Sequence, residues 1–373
     1  MTPPETATAT THADRLTEVV DAEGLDQLIV ADLVTTGDSG REAQADVFWA
    51  SGFSGTSAIC LIGPEQRLFL TDFRYTERAE REVDPAFERE RIGPKLLESA
   101  AERLRGRVGY DEAKTSVRTL HRLQEAVSED VELVPATGLV AKLRRHKDAA
   151  EVERIAEAAR LTDEVYEWIC EQGIVGRTER EVRVAAEQRM RELGAADPSF
   201  ESIIAAGENG PIGHHSASDR EIAAGELVVV DMGAIVDGYC SDCTRTFATG
   251  DIESEARDVY ELVRSAQQAG LDAVAAGASG VGVDAAARAV IDAGGYGDEF
   301  GHGLGHGVGI EIHEPPRVSK TSEDVLEVGD VVTVEPGIYL PGRFGIRIED
   351  LVALTDEGVR NLSSFPKELR VVS

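Results

Sequence analysis

The run Leu227–Phe247, LVVVDMGAIVDGYCSDCTRTF, leaves the chain few ways to fold. Val228–Asp231 is apolar and β-branched, and Tyr239–Phe247 alternates well enough to be a second strand. Between them Asp237-Gly238 predicts a two-residue type I′ turn, which needs positive φ at both central positions. Such a turn sets Val236 opposite Tyr239, and the register follows by counting outward. Asp231 lies five residues before Val236 and Asp242 three after Tyr239, so both carboxylates fall on one face, diagonal to each other. Two like charges that close are unfavourable: without a cation between them, one protonates or the register fails. The rival reading is two exposed acids on a solvated hairpin, and the neighbouring segments decide between them.

Three later clusters carry the matching chemistry. Phe300–Pro316, FGHGLGHGVGIEIHEPP, sets His302, His306 and His313 among glycines, which let backbone and metal approach closely. VTVEP and GIRIED each bring an apolar alternation to a carboxylate, Glu335 and Glu349. Two Asp, one His and two Glu form a mostly oxygen ligand set whose four negative charges balance two divalent ions. That set suits manganese, cobalt or iron better than a thiolate-rich zinc site, and two metals about 3.5 to 4 Å apart make an effective hydrolytic centre.

DMGAIVDGYCSDCTRT, GHGLGHGVG with HEPP, TVEPGIY and GIRIEDLV together resemble the signature segments of the pita-bread metallopeptidases, in particular the Xaa-Pro branch of prolidases and aminopeptidases P. The similarity spans most of residues 140 to 373, in the expected order. GFSG and LTDFRY, at 52–55 and 70–75, resemble the amino-terminal domain of prolidases and creatinases. The resemblance implies an α/β creatinase-like domain over residues 13–143, followed by an α+β pita-bread catalytic domain over 147–373. It implies Asp231 on one metal, Asp242 and Glu349 bridging both, and His306 and Glu335 on the second. Manganese is the expected metal, with cobalt, zinc or iron as alternatives. It also implies that Glu335 handles the proton of a hydroxide held between the metals, and that His214, His302 and His313 lie beside the substrate. Arg347, on the same strand parity as Glu349, stabilises the oxyanion or holds the substrate's acidic end. His214 lies seventeen residues before Asp231, the family's spacing, but follows Gly213 where relatives often have proline.

The implied substrate is a small peptide with proline second, cut at the Xaa-Pro bond, and the implied assembly a homodimer. Dipeptides are favoured over the longer peptides of an aminopeptidase P. A methionine aminopeptidase shares the five ligands but lacks the extra domain and the arginine of GIRIED. A metal-free binding module would not need all five ligand types.

Composition excludes other classes. With 69 acidic against 38 basic residues the net charge is −31, which repels nucleic acid and anionic lipid. No apolar run reaches the roughly 18 residues that span a bilayer. The opening MTPPETATATTHADR has neither the basic nor the apolar region of a signal peptide, so it reads as a disordered tail and the protein as cytoplasmic. Cys240 and Cys243 match C-x-x-C, but residues three apart on a strand face opposite ways and cannot share a metal.

Along the amino-terminal part, helices are predicted over 14–22, 72–82, 94–104 and 115–127, and strands over 25–31, 47–55, 57–62, 67–71 and 108–110. The basic stretch LVAKLRRHK, 139–147, reads as a solvated helix end or linker, after which Asp148 and Glu151 offer a capping box. Helices follow over 148–172, 178–193, 256–276 and 283–293, with a strand over 199–207. Gly280-Val-Gly282 imitates a dinucleotide fingerprint, but it follows a helix and reads as a helix–helix turn.

Overall fold

The computed structural model describes residues 11–33, 44–93 and 95–373. The expected tail lies outside them up to residue 10, while Thr11 already caps a helix through a capping box with Asp14. The chain divides into two compact units, one up to Arg144 and one from Arg145 onward.

The first unit is α/β. Its elements are α1 (His12–Ala22), β1 (Gln27–Val30), α2 (Ala45–Ser51), β2 (Ala58–Ile62), β3 (Arg67–Thr71), α3 (Thr76–Glu82), β4 (Glu88–Arg91), α4 (Leu96–Ala101), β5 (Arg107–Tyr110), α5 (Val117–Ala126), β6 (Glu132–Pro135) and α6 (Leu139–Arg145), the last crossing the boundary. One mixed sheet runs in the order β4-β3-β2-β1-β5-β6. The predicted strand over 47–55 is instead the helix α2. Six of its seven residues are buried, so it shows no polar face to reveal a helical period. Gly52, at φ 79°, ends it in the left-handed region. The unpredicted β4 and β6 are the outer strands of the sheet, and their mostly uncovered sequences, ERER and ELVP, carry no apolar alternation. Arg144 is not solvated as expected: it is 2% exposed and pairs with Asp46 at 2.6 Å.

The second unit is α+β. Two helices, α7 (Ala149–Gln172) and α8 (Glu179–Glu192), precede β7 (Asp197–Pro198), β8 (Ile203–Ala206), β9 (Leu227–Met232), β10 (Ala234–Val236), β11 (Tyr239–Cys240) and β12 (Cys243–Ala248). A second pair, α9 (Ser254–Ala273) and α10 (Gly280–Ala293), precedes β13 (Gly305–Gly307), β14 (Glu314–Val318), β15 (Val331–Val334), β16 (Gly337–Leu340), β17 (Phe344–Arg347), β18 (Asp350–Thr355) and β19 (Gly358–Asn361). Capping boxes at Asp148 and Thr178 start α7 and α8. Gly280 and Gly282 lie within the first turn of α10, capped by Ser279, and not in a turn between helices.

Each helix pair covers its own core. Ile169, Val182 and Met190 pack with Val228, Val230 and Phe247, while Val259, Val263 and Ala287 pack with Leu304, Val332 and Val352. Strand alternation then turns Val229 to the opposite face, where it meets Ile203 and Ala205, and Asp231 shares its parity.

The turn forms as predicted, with Asp237 at φ 47° and Gly238 at φ 87°. Val236 faces Tyr239, and the same register continues to Asp231 opposite Thr244. Between these points the pair passes from the sheet β11-β10-β7 to the sheet β12-β9-β8. Gly233 sits at the crossing, where a Cβ would lie 1.9 Å from the Ser241 carbonyl oxygen, so no larger residue fits. Cys240 and Cys243 are free, and each thiol donates to a different carbonyl, Ile310 and Glu349.

Arg245 braces this unit. Only 2% exposed, it donates to Asp350 Oδ1 at 2.8 Å and to the carbonyls of Glu349, Phe365 and Thr244.

Candidate metal centre and active site

A cavity of about 1120 Å³ in the second unit collects Asp231, Asp242, Glu335 and Glu349 with His214, His302, His306 and His313. Asp231 comes from β9 and Asp242 from the approach to β12. Glu335 follows β15, and Glu349 lies between β17 and β18. GIRIED is therefore not one strand: Arg347 pairs with Gly337 in the two-stranded sheet, Asp350 with Val334 in the five-stranded sheet, and Glu349 spans the gap by donating its N–H to the Thr244 carbonyl.

Ligand atoms of Asp231, Asp242 and Glu349 lie within 4.8 Å of one another, and all three residues are buried. Burial, then the charge of Glu349, pushes the Asp242 carboxyl well up; burial, then Glu335, does the same to Glu349. Burial raises Glu335 to about 7 against the opposing pull of Arg347. Asp231 Oδ1 and Glu349 Oε1 are buried without a hydrogen-bond partner among the described residues. Buried acceptors are rarely left so, and crowded carboxylates with orphaned oxygens fit divalent cations.

His306 completes the donor set. Its Nδ1–H donates to the Gly307 carbonyl at 3.1 Å, which leaves the Nε2 lone pair facing Glu335 Oε1 at 3.5 Å and Asp242 Oδ2 at 3.6 Å. A metal-binding imidazole is commonly oriented by such a bond. Burial, then the neighbouring His313, lowers His306 to about 4, so it is neutral and able to ligate.

Arg347 is tied into the centre itself. Its guanidinium is buried and bonded within the centre: Nη2 donates to Asp231 Oδ2 at 2.6 Å, Nη1 to the Tyr339 hydroxyl at 3.0 Å and Nε to Thr244 Oγ1 at 2.9 Å. Thr244 in turn donates to Glu349 Oε2 at 2.8 Å. Arg347 therefore holds Asp231 directly and Glu349 through Thr244, from a place in the cavity lining. Sequence reasoning missed Tyr339 and Thr244. Their signal was parity, since each lies on a strand that carries a singled-out residue or pairs with one that does.

It also missed Arg317. On β14, directly opposite His306, Arg317 is exposed into the cavity, and its side chain has no hydrogen-bond or ion-pair partner among the described residues.

The histidines sit differently. His302 Nδ1–H donates to the Gly303 carbonyl at 2.7 Å, and Nε2 accepts from the Tyr339 hydroxyl at 2.9 Å. Burial, then the charge of Arg347, lowers His302 to about 4, which keeps it neutral as both bonds require. Its segment is held by Arg288, which pairs with Asp284 through two bonds and donates to the carbonyls of Phe300 and His302. His313 is exposed, its ring 4.4 Å from that of His306. The next residue, Glu314, forms a buried pair with Lys147 at 3.0 Å and accepts from the Glu311 N–H. Lys147 is thus a buried anchor and not part of a solvated linker. His214 is exposed in the cavity lining, and His215 lines the cavity too while its Nε2–H donates to Glu179.

Two cores, a crowd of buried carboxylates and a ligand histidine in a large cavity define the class as a metal-dependent hydrolase. Residues 153–356 match metallopeptidase family M24, and residues 13–146 match the creatinase/prolidase N-terminal domain. The chain belongs to metallopeptidase family M24. It is 33% identical to the Xaa-Pro dipeptidase of Pyrococcus furiosus, over 95% of this chain and 98% of that one. It is 39% identical to an uncharacterised peptidase of Bacillus subtilis, over 88% and 94%. Among solved structures it is similar to an Xaa-Pro dipeptidase from Bacillus anthracis (TM-score 0.89, 35% identity, 97% and 99% covered) and to an X-Pro aminopeptidase from Thermotoga maritima (0.87, 33%, 96% and 100%). No helix among the described residues is long and apolar enough to cross a membrane.

Proposed function

We propose that this metallopeptidase hydrolyses the Xaa-Pro bond of dipeptides, with the domains drawn at 13–143 and 147–373. The observation that carries the reading is one cavity holding five ligand-type side chains, four further histidines and, in Arg317, an arginine with no side-chain partner among the described residues. Asp231, Asp242, Glu349, His306 and Glu335 would hold two divalent ions, manganese by the preference of an oxygen-rich set. Bound there, they would supply Lewis-acid polarisation of the scissile carbonyl and lower the pKa of water at neutral pH.

The chain's own residues do the rest. Arg317, with no side-chain partner among the described residues, receives the C-terminal carboxylate of the dipeptide, while Arg347 holds Asp231. His214, His302 and His313 flank the proline ring and the scissile carbonyl, and an imidazole N–H of His313 donates to the oxygen as charge develops on it. Glu335 Oε1 accepts a proton from the attacking water and returns it to the proline nitrogen as the C–N bond breaks. A peptide bond to proline has no N–H, so a site that works through the carbonyl side loses nothing there. A cytoplasmic homodimer completes the reading.

A second reading has its own support. At about 1120 Å³ the cavity exceeds the roughly 300–1,000 Å³ of ordinary small-molecule sites and runs past Arg317 to Ser319 and Asp324, which favours longer Xaa-Pro peptides. Product analysis separates the two. Manganese-loaded protein is given Gly-Pro, Ala-Pro, Ala-Pro-Ala, Ala-Ala-Ala and an Xaa-Pro pentapeptide. Rapid dipeptide cleavage is expected; an active pentapeptide with idle dipeptides makes the enzyme an aminopeptidase P. Release of alanine from Ala-Ala-Ala as fast as from Ala-Pro-Ala refutes the proline preference.

A further inference from the structure

Glu179 stands in the first turn of α8, fully buried, and contributes nothing to the cavity lining. Its carboxylate nevertheless gathers five hydrogen bonds. Oε1 accepts from the Ala206 N–H at 2.8 Å and Asn209 Nδ2 at 2.9 Å. Oε2 accepts from His215 Nε2 at 2.8 Å, the Ser218 N–H at 3.0 Å and Ser218 Oγ at 2.6 Å. These donors bracket residues 206–218, the segment that carries His214. Its tip is bare: Ile212, Gly213 and His214 are all exposed, and the backbone bonds inside it are local turns from Asn209 to Ile212 and from Ile212 to His215.

We propose that Glu179 is a positioning residue: by tying both ends of residues 206–218 to α8 it sets where the His214 imidazole enters the cavity.

The proposal rests on the reading of His214 as a substrate-side group. All five partners donate, and only a carboxylate offers acceptors alone. A glutamine would turn its amide hydrogens toward one of the two donor sets whichever way it flipped. Burial by itself would raise the carboxyl, but the bonds from Ala206, Ser218, Asn209 and His215 together outweigh it and hold Glu179 at about 2, charged throughout the working range of a peptidase.

A double-mutant cycle on the metal-loaded full chain tests this, with Glu179→Gln, His214→Ala and the pair assayed on Ala-Pro for kcat and KM, alongside metal content and circular dichroism. Misplacing a reacting-site group can cost up to about 100-fold. Glu179→Gln is expected to lower kcat/KM by about 10- to 100-fold with metal content unchanged, and to cost less than about 2-fold once His214 is alanine. Glu179→Asp, which keeps both acceptors, is expected to recover part of the loss. Multiplying effects would mean that Glu179 serves the fold at large, which overturns the proposal. A silent Glu179→Gln beside an impaired His214→Ala overturns it alone; a silent His214→Ala overturns the reading of His214 and the proposal with it. If Glu179→Gln does not fold, Ser218→Ala, which removes one donor and leaves the carboxylate, carries the same cycle with a loss of a few-fold expected and the same outcomes deciding.

Discussion

The acidic side of the cavity and its histidine side are built by different means. Asp231, Asp242 and Glu349 are buried, and their places follow from strand pairing and the short crossings between sheets. His214 and His313 are exposed on loops, and each loop is moored by a buried charge remote from it in sequence: Glu179 for one, the Lys147–Glu314 pair for the other. His302, half-buried, depends likewise on the Asp284–Arg288 pair. A backbone ladder places a group through many weak bonds, so one substitution beside it shifts little. A tether places a group through one desolvated charge, and losing a partner leaves that charge bare.

The largest expected effect falls on the acidic side. Asp242→Asn removes a charge from the centre and should lower activity by at least about 100-fold, with metal lost from the roughly two ions per chain that elemental analysis should find in the wild type. Wild-type turnover in that variant would put the chemistry elsewhere. Arg347→Met comes next. It takes the donor from Asp231 Oδ2 and one of the two partners of the Tyr339 hydroxyl, and should weaken metal binding by about 10- to 100-fold in a chelator titration. Lysine should not restore it, because three nitrogens of one planar group serve three different acceptors. On the other side, His302→Ala and His313→Ala should leave metal content nearly intact while kcat and kcat/KM fall together, by about 100-fold or somewhat more. If His313→Ala strips the metal instead, the division between the two sides is broken. The smallest effect is on stability in acid. Glu179 is held at about 2 against an ordinary 4.5, so its contribution is complete above about pH 4.5 and is lost as pH falls toward 2. A plot of Tm against pH should be flatter there for Glu179→Gln than for the wild type; parallel curves would mean that the tether is not charged.

This contrast also explains what could be read from the sequence. The hairpin register could be counted because a positive-φ turn fixes it and strand parity does the rest, and the structure keeps that count through a change of sheet. A capping box marked the start of α7 to the residue, since the signal is local. Where burial is two-sided, as in α2, or slight, as in β4 and β6, periodicity carries no message. At GIRIED, Arg347 and Glu349 both reach the cavity as parity places them, but Ile348 and Glu349 cross between two sheets, which no alternation signals. The tethers were illegible for a further reason. Lys147 and Glu314 are 167 residues apart, and nothing near either one announces its partner. Arg317 was passed over because an exposed arginine on a strand looks like any solvated charge until the opposite strand is known to carry His306.

Arg245 imposes an order on how this protein comes off the ribosome. Its guanidinium lies in the central hairpin, yet the Phe365 carbonyl that it needs is synthesised 120 residues later. Until that segment leaves the exit tunnel, the guanidinium has Asp350 and the carbonyls of Thr244 and Glu349 but lacks its last acceptors, which favours hydrated, loosely paired nascent strands. The metal-binding acids of β9 and the turn before β12 are therefore present in the growing chain long before they can be locked together. Ribosome-bound chains stalled with residue 360 just outside the tunnel should be cut by protease within 227–248, and chains with residue 370 outside should resist.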